Sequence, residues 1–140
     1  MKKTISLFAL LFIFQLFTNA QCNVRKYRYI KKYIKEGIYL LDRTYNNKKD
    51  KPFKLVFHKG STYGVYLLNP SKVLPDFELK TQEDKLVNGV IAQIDTIENY
   101  ALYKFTIKES GQYKIKLNFN TTEKACVLFV LTFISKESCD

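Results

Sequence analysis

The chain has 140 residues, 46% of them apolar and 15% aromatic, and 23 Lys and Arg against 13 Asp and Glu give a formal net charge of +10. This length and apolar content fit one domain with its own core and exclude a disordered chain. One His and three Cys, none at zinc-ligand spacing, exclude a Cys/His metal site and leave little for His-based catalysis.

Lys2 and Lys3 open the chain, and an apolar run over residues 5–17 follows, broken only by Ser6 and Gln15. Thr18-Asn19-Ala20 then places small side chains at the first and third positions before a cut. Positive start, apolar middle and small-residue site make residues 1–20 a secretory signal peptide. The run is shorter than the about 20 apolar residues of a membrane-spanning helix, so no transmembrane segment is expected after cleavage. Cleavage is expected between Ala20 and Gln21. Gln21 fits poorly before a lipidated cysteine, so lipoprotein anchoring at Cys22 is the lesser alternative. The expected destination is secreted or periplasmic, and residues 21–140 form the single mature domain.

Loss of Lys2 and Lys3 lowers the charge to +8, and the remainder is uneven. Residues 22–50 carry nine Lys or Arg against three acids, whereas residues 51–140 carry twelve against ten. A local basic stretch points to an envelope protein, an anionic polysaccharide or a membrane surface, and the exported compartment argues against nucleic acid. Within residues 22–37, Asn23 to Glu36 reads as a helix. Val24, Tyr27, Ile30 and Ile34 form one apolar stripe at helical period, with Asn23 to cap it and Gly37 to end it. Arg25, Lys26, Arg28, Lys31, Lys32 and Lys35 fill most other positions and form the candidate binding face. The stripe is narrow and lacks Trp and Phe, so packing on a sheet is expected over lying on a membrane.

After Gly37 the period becomes two. Ile38–Leu41 begins a strand and Asn46–Lys51 is a polar loop. Phe53, Leu55 and Phe57 alternate along a strand, Lys59-Gly60 turns, and Ser61–Leu68 returns to give an expected hairpin. Asn69-Pro70-Ser71 breaks the pattern. Further strands run through Phe77 and Leu79, through Leu86 to Ile94 with a bend at Asn88-Gly89, and through Leu102, Phe105 and Ile107. Ser110-Gly111 turns into the alternating Tyr113, Ile115, Leu117 and Phe119. Cys126 to Ile134 is nearly continuous apolar sequence, as in a central strand covered on both faces. Seven or eight short strands with polar turns predict a mainly β antiparallel sandwich, jelly-roll-like, with one N-terminal amphipathic helix.

Cys22 and Cys139 lie at the two mature ends and are the first-choice disulfide, with Cys22–Cys126 as the alternative and Cys126 otherwise a buried thiol. His58 beside a turn reads as a solvated residue. The acids Asp76, Glu78, Glu83 and Asp84 read as surface charges, too thin a set for calcium. No phosphate-binding glycine loop occurs. No catalytic residues, metal ligands or cofactor are therefore expected, and the chain reads as a non-catalytic binding or accessory module. A structural envelope protein assembling through sheet edges, or a small enzyme inhibitor, is the alternative.

Two stretches carry a resemblance. Gly60 with Tyr63, and Ser110 and Gly111 with Tyr113, resemble the glycine-turn and tyrosine elements of the bacterial pre-peptidase C-terminal β-sandwich. The Ala20-Gln21 junction and Cys126 in the last strand are similar to short exported Bacteroidetes proteins of unknown function. The resemblance implies a sandwich with an accessory, non-catalytic role.

Overall fold

Alternating apolar residues along the described parts of the chain produce eight strands and two packed sheets. The computed structural model describes residues 34–47, 51–68, 74–95, 100–121 and 125–137. The strands are β1 (Ile38–Asn46), β2 (Phe53–Phe57), β3 (Ser61–Leu68), β4 (Asp76–Thr81), β5 (Ile91–Asp95), β6 (Tyr100–Thr106), β7 (Gly111–Asn118) and β8 (Cys126–Lys136). They form a five-stranded sheet in the order β1-β8-β3-β6-β5 and a three-stranded sheet in the order β2-β7-β4. Every strand pair is antiparallel. The expected β-sandwich is the fold. Among the described residues there is no helix, and none is long and apolar enough to cross a membrane.

The expected N-terminal helix, Asn23 to Glu36, lies mostly outside the described residues. Of its expected end, Ile34, Lys35 and Glu36 are irregular chain rather than a last helical turn. Gly37 then adopts a φ of +92°, and a Cβ there would stand 2.8 Å from the Phe133 carbonyl oxygen. Only glycine lets the backbone swing this close to β8 on entering β1.

The expected β2–β3 hairpin is not formed. β2 pairs with β7, while β3 lies between β8 and β6. The Lys59-Gly60 turn therefore carries the chain from one sheet to the other. Ser110-Gly111 does the same between β6 and β7. Alternation along a strand identifies its buried face but not the strand beside it, so a glycine turn between two such strands reads equally as hairpin or crossover. The strand expected over Leu86–Ile94 is confined to Ile91–Asp95, and the chain before it makes only a bridge between Lys80 and Leu86.

The core fills the gap between the sheets. Tyr63, Val65, Leu67, Phe105, Val127, Phe129 and Leu131 of the larger sheet meet Phe57, Leu79, Ile115 and Leu117 of the smaller one. Phe57, 1% exposed, centres an aromatic group: its ring lies 4.5 Å from Tyr63, 5.4 Å from Phe105 and 5.7 Å from Tyr113. β8 is buried on both faces from Cys126 to Leu131, as its continuous apolar sequence predicts. Replacement of Phe57 by Ala empties the centre of this group and is expected to lower the unfolding free energy by about 3–5 kcal/mol, read from the urea midpoint at unchanged slope.

Candidate functional site

β1 and β2 each form one edge of their sheets. The Tyr45 ring stacks on Phe53 with centroids 4.7 Å apart, and Phe53 meets Phe129 edge-on at 5.0 Å. These rings close one end of the gap between the two edges. Towards the other end the gap opens into a cleft of about 510 Å³ lined by Leu40, Leu41, Leu55, Val56, Phe57, Tyr63, Leu131 and Phe133, with His58, Ser61 and Lys136 completing the lining.

Local sequence explains the opening. Tyr39 pairs with Thr132 and Leu41 with Leu131, so Leu40 is an extra residue, a bulge that bends the edge strand. Val56 occupies the polar phase of β2, between Leu55 and Phe57, and is 62% exposed. Ile38, Tyr39 and Leu40 are also exposed, at 68%, 46% and 46%. Apolar side chains on a concave surface beside strand edges that have no partner strand among the described residues suit an extended apolar segment or ligand. Among the described residues the walls hold no carboxylate, and the basic groups in the lining are His58 and Lys136.

The described carboxylates and lysines outside the cleft lie on the surface. Lys54, Lys114 and Lys80 stand side by side across the outer face of the smaller sheet. Asp84 offsets them by pairing with Lys114 at 2.9 Å, and Glu78 by pairing with Lys80 at 3.2 Å. The Asn118 amide donates to Glu78 at 3.2 Å. That hydrogen bond, then Lys80, holds the Glu78 carboxyl below its ordinary value of 4.5. Asp84 is held low by Lys114. Asp76 accepts from Asn120 at 2.8 Å, and Glu83 pairs with Lys85 at 3.3 Å. These acids are thus surface charges with local partners. Among the described residues no three His, Cys, Asp or Glu gather as metal ligands.

Of the expected basic face, Arg25, Lys26, Arg28, Lys31 and Lys32 lie outside the described residues. Lys35 is described and exposed, just before the chain enters β1. Cys22 and Cys139 also lie outside. Cys126 is 1% exposed and disulfide-bonded rather than a free thiol. Three cysteines allow one bridge within the chain, so a bond at Cys126 replaces the expected Cys22–Cys139 pairing.

The two glycine-turn elements are structural and meet each other. Lys59 N–H donates to Ser110 Oγ at 2.7 Å and Gly60 N–H to the Ile107 carbonyl at 2.8 Å. The Tyr113 hydroxyl donates to the Glu109 carbonyl at 2.6 Å, a tyrosine-corner arrangement. Burial, followed by the nearby Glu109 charge, raises the Tyr113 phenol above its usual range. The Tyr63 hydroxyl accepts from His58 N–H at 3.2 Å. These residues lock both crossovers.

The cleft went unread in the sequence because its two walls come from strands in different sheets. The available signal was an out-of-phase apolar residue on each edge, Leu40 beside Leu41 and Val56 between Leu55 and Phe57.

No family model matches the chain, and no curated protein matches it. Among solved structures it is similar to one described as the crystal structure of Bacillus licheniformis lipase BlEst2 in propeptide form, with a TM-score of 0.48 and 21% identity over 69% of this chain. The chain spans 22% of that chain's length.

Glu78 supplies a pH test. Its folded carboxyl stays charged at lower pH than an unfolded glutamate, so its contribution is complete above the ordinary value of 4.5 and is lost as pH falls through the lower folded value. Its side chain is 29% exposed, so the contribution stays below about 1 kcal/mol. Glu78→Gln is expected to lower Tm at about pH 7 and to melt together with the wild type at about pH 2.

Proposed function

We propose that this chain is an exported, non-catalytic binding module that grips an extended segment of an envelope protein. The apolar cleft between β1 and β2, lined in part by the exposed side chains of Leu40 and Val56, carries this reading. Its walls offer apolar contact beside the edge strands of two sheets and, among the described residues, no acid–base pair, which suits recognition over turnover.

The basic stretch from Arg25 to Lys35 runs into β1 and supplies the charge contribution, favouring a partner segment with acids beside its apolar residues. An anionic polysaccharide would use the same cations without the cleft. The signal-like residues 1–20 and the disulfide at Cys126 fit an oxidising, exported compartment.

Val56→Lys puts a charge at the mouth of the cleft. It is expected to keep Tm within about 2 °C and to reduce capture of the envelope partner at least tenfold. Joint replacement of Lys31, Lys32 and Lys35 by Glu is expected to slow association and to remove its salt dependence. Unchanged capture by Val56→Lys, with loss only in the lysine variant, would assign binding to an anionic polymer instead.

Assembly through sheet edges is a second reading with its own observation. β5, the opposite edge of the larger sheet, exposes Ile91 at 67% and Ile94 at 58%. Exposed apolar residues on an edge strand template pairing with another copy. Concentration-dependent oligomers in sedimentation that Ile91→Lys abolishes would support this reading; a monomer at all concentrations would sink it.

A further inference from the structure

The five-stranded sheet has two dry faces, but only one meets the smaller sheet. On the far face Tyr66, Leu68, Leu102, Leu128 and Val130 are between 0% and 4% exposed. An antiparallel sheet ordinarily gives such a face to water and fills it with polar residues. Of the described side chains outside this buried group, Ile34 and Tyr100 pack on it. Tyr100 belongs to the sheet itself. Ile34 comes from the chain entering β1, which is fastened here: the Tyr66 hydroxyl contacts Glu36 N at 3.2 Å and donates to the Glu36 carbonyl at 3.4 Å, and the Glu36 carboxylate pairs with Lys104.

The bridge at Cys126 fixes a second point on this face. β1 pairs with β8 in continuous register from Asn46–Cys126 to Asp42–Val130, so Cys126 shares its face with Leu128 and Val130. Its sulfur partner is Cys22 or Cys139. From Cys126 to Lys136 the strand runs about 30 Å, and the three residues on to Cys139 return at most about 11 Å. That leaves roughly 20 Å, where a disulfide needs Cα atoms about 4.4–6.8 Å apart. Within one chain, only Cys22 remains.

We propose that residues 22–33 lie across the outer face of the five-stranded sheet as its third layer, held at one end by Ile34 and Glu36 and at the other by a Cys22–Cys126 disulfide. The lengths agree. Helix over residues 22–33 would rise about 17 Å, and β8 covers about 20 Å from Cys126 to Thr132, beside which Gly37 sits. Val24, Tyr27 and Ile30 extend the stripe that Ile34 begins and meet the buried face. The cations of the segment then point to solvent from a rigid support. The inference stands whether or not the cleft binds a partner.

Non-reducing peptide mapping of the exported chain, alkylated before digestion, tests the tether. The Cys22 and Cys126 peptides are expected joined, with Cys139 alkylated. A Cys126–Cys139 link, or alkylated Cys126, overturns the proposal. A double replacement of Tyr27 and Ile30 by Glu leaves the bridge in place and tests the covering. It is expected to lower Tm by about 10 °C and to raise emission of an apolar dye several-fold. Unchanged melting and dye binding overturn it. Should that variant fail to fold, full reduction of the wild-type chain gives the same reading: dye emission rises while far-ultraviolet sheet signal persists, and an unchanged emission overturns the proposal.

Discussion

Everything in this molecule depends on keeping β8 dry on both faces. Val127, Phe129 and Leu131 point into the gap between the sheets; Cys126, Leu128 and Val130 point away from it. A strand of this composition cannot sit at the surface without exposing a row of large apolar side chains. Its position between β1 and β3 shields its edges, and the smaller sheet covers one face. On the other face Ile34, from the chain that enters β1, packs against the buried side chains.

Two aromatic groups set the geometry of the gap. Phe57, Tyr63, Phe105 and Tyr113 gather at the end where both crossovers pass between the sheets, and hydrogen bonds among Lys59, Gly60, Ile107 and Ser110 tie the turns together. Tyr45, Phe53 and Phe129 join the edges of the two sheets at the other end. The sheets are thus held apart at a fixed spacing, and the bulge at Leu40 leaves the space between their edges unfilled. The cleft follows from rigid ends and one extra residue in β1.

Much of this was legible in the chain. The strands over 53–57, 61–68 and 111–118 stand where the alternation of Phe53, Leu55 and Phe57, of Tyr63, Val65 and Leu67, and of Tyr113, Ile115 and Leu117 puts them. The central position of β8 was written in its unbroken apolar run. What misled was the pairing. Lys59-Gly60 was expected to close a hairpin, and it instead joins two sheets, because a tight turn specifies a reversal and not a partner. Cys126 was expected to be a buried thiol. Its apolar neighbours argue for burial, but burial does not distinguish a thiol from a bridge; that depends on which residue is brought opposite.

Composition and periodicity by themselves determined the β-sandwich class, the phase of most strands and the surface role of the acids, since these follow from the local demand that apolar side chains leave water. Tertiary structure alone decided which strands are neighbours, that the glycine-turn tyrosines lock two crossovers, that Leu40 and Val56 share a cleft, and that Cys126 is bonded. Each of these joins residues far apart in sequence, and such contacts are selected by the packing of whole sheets, which no short stretch of chain encodes.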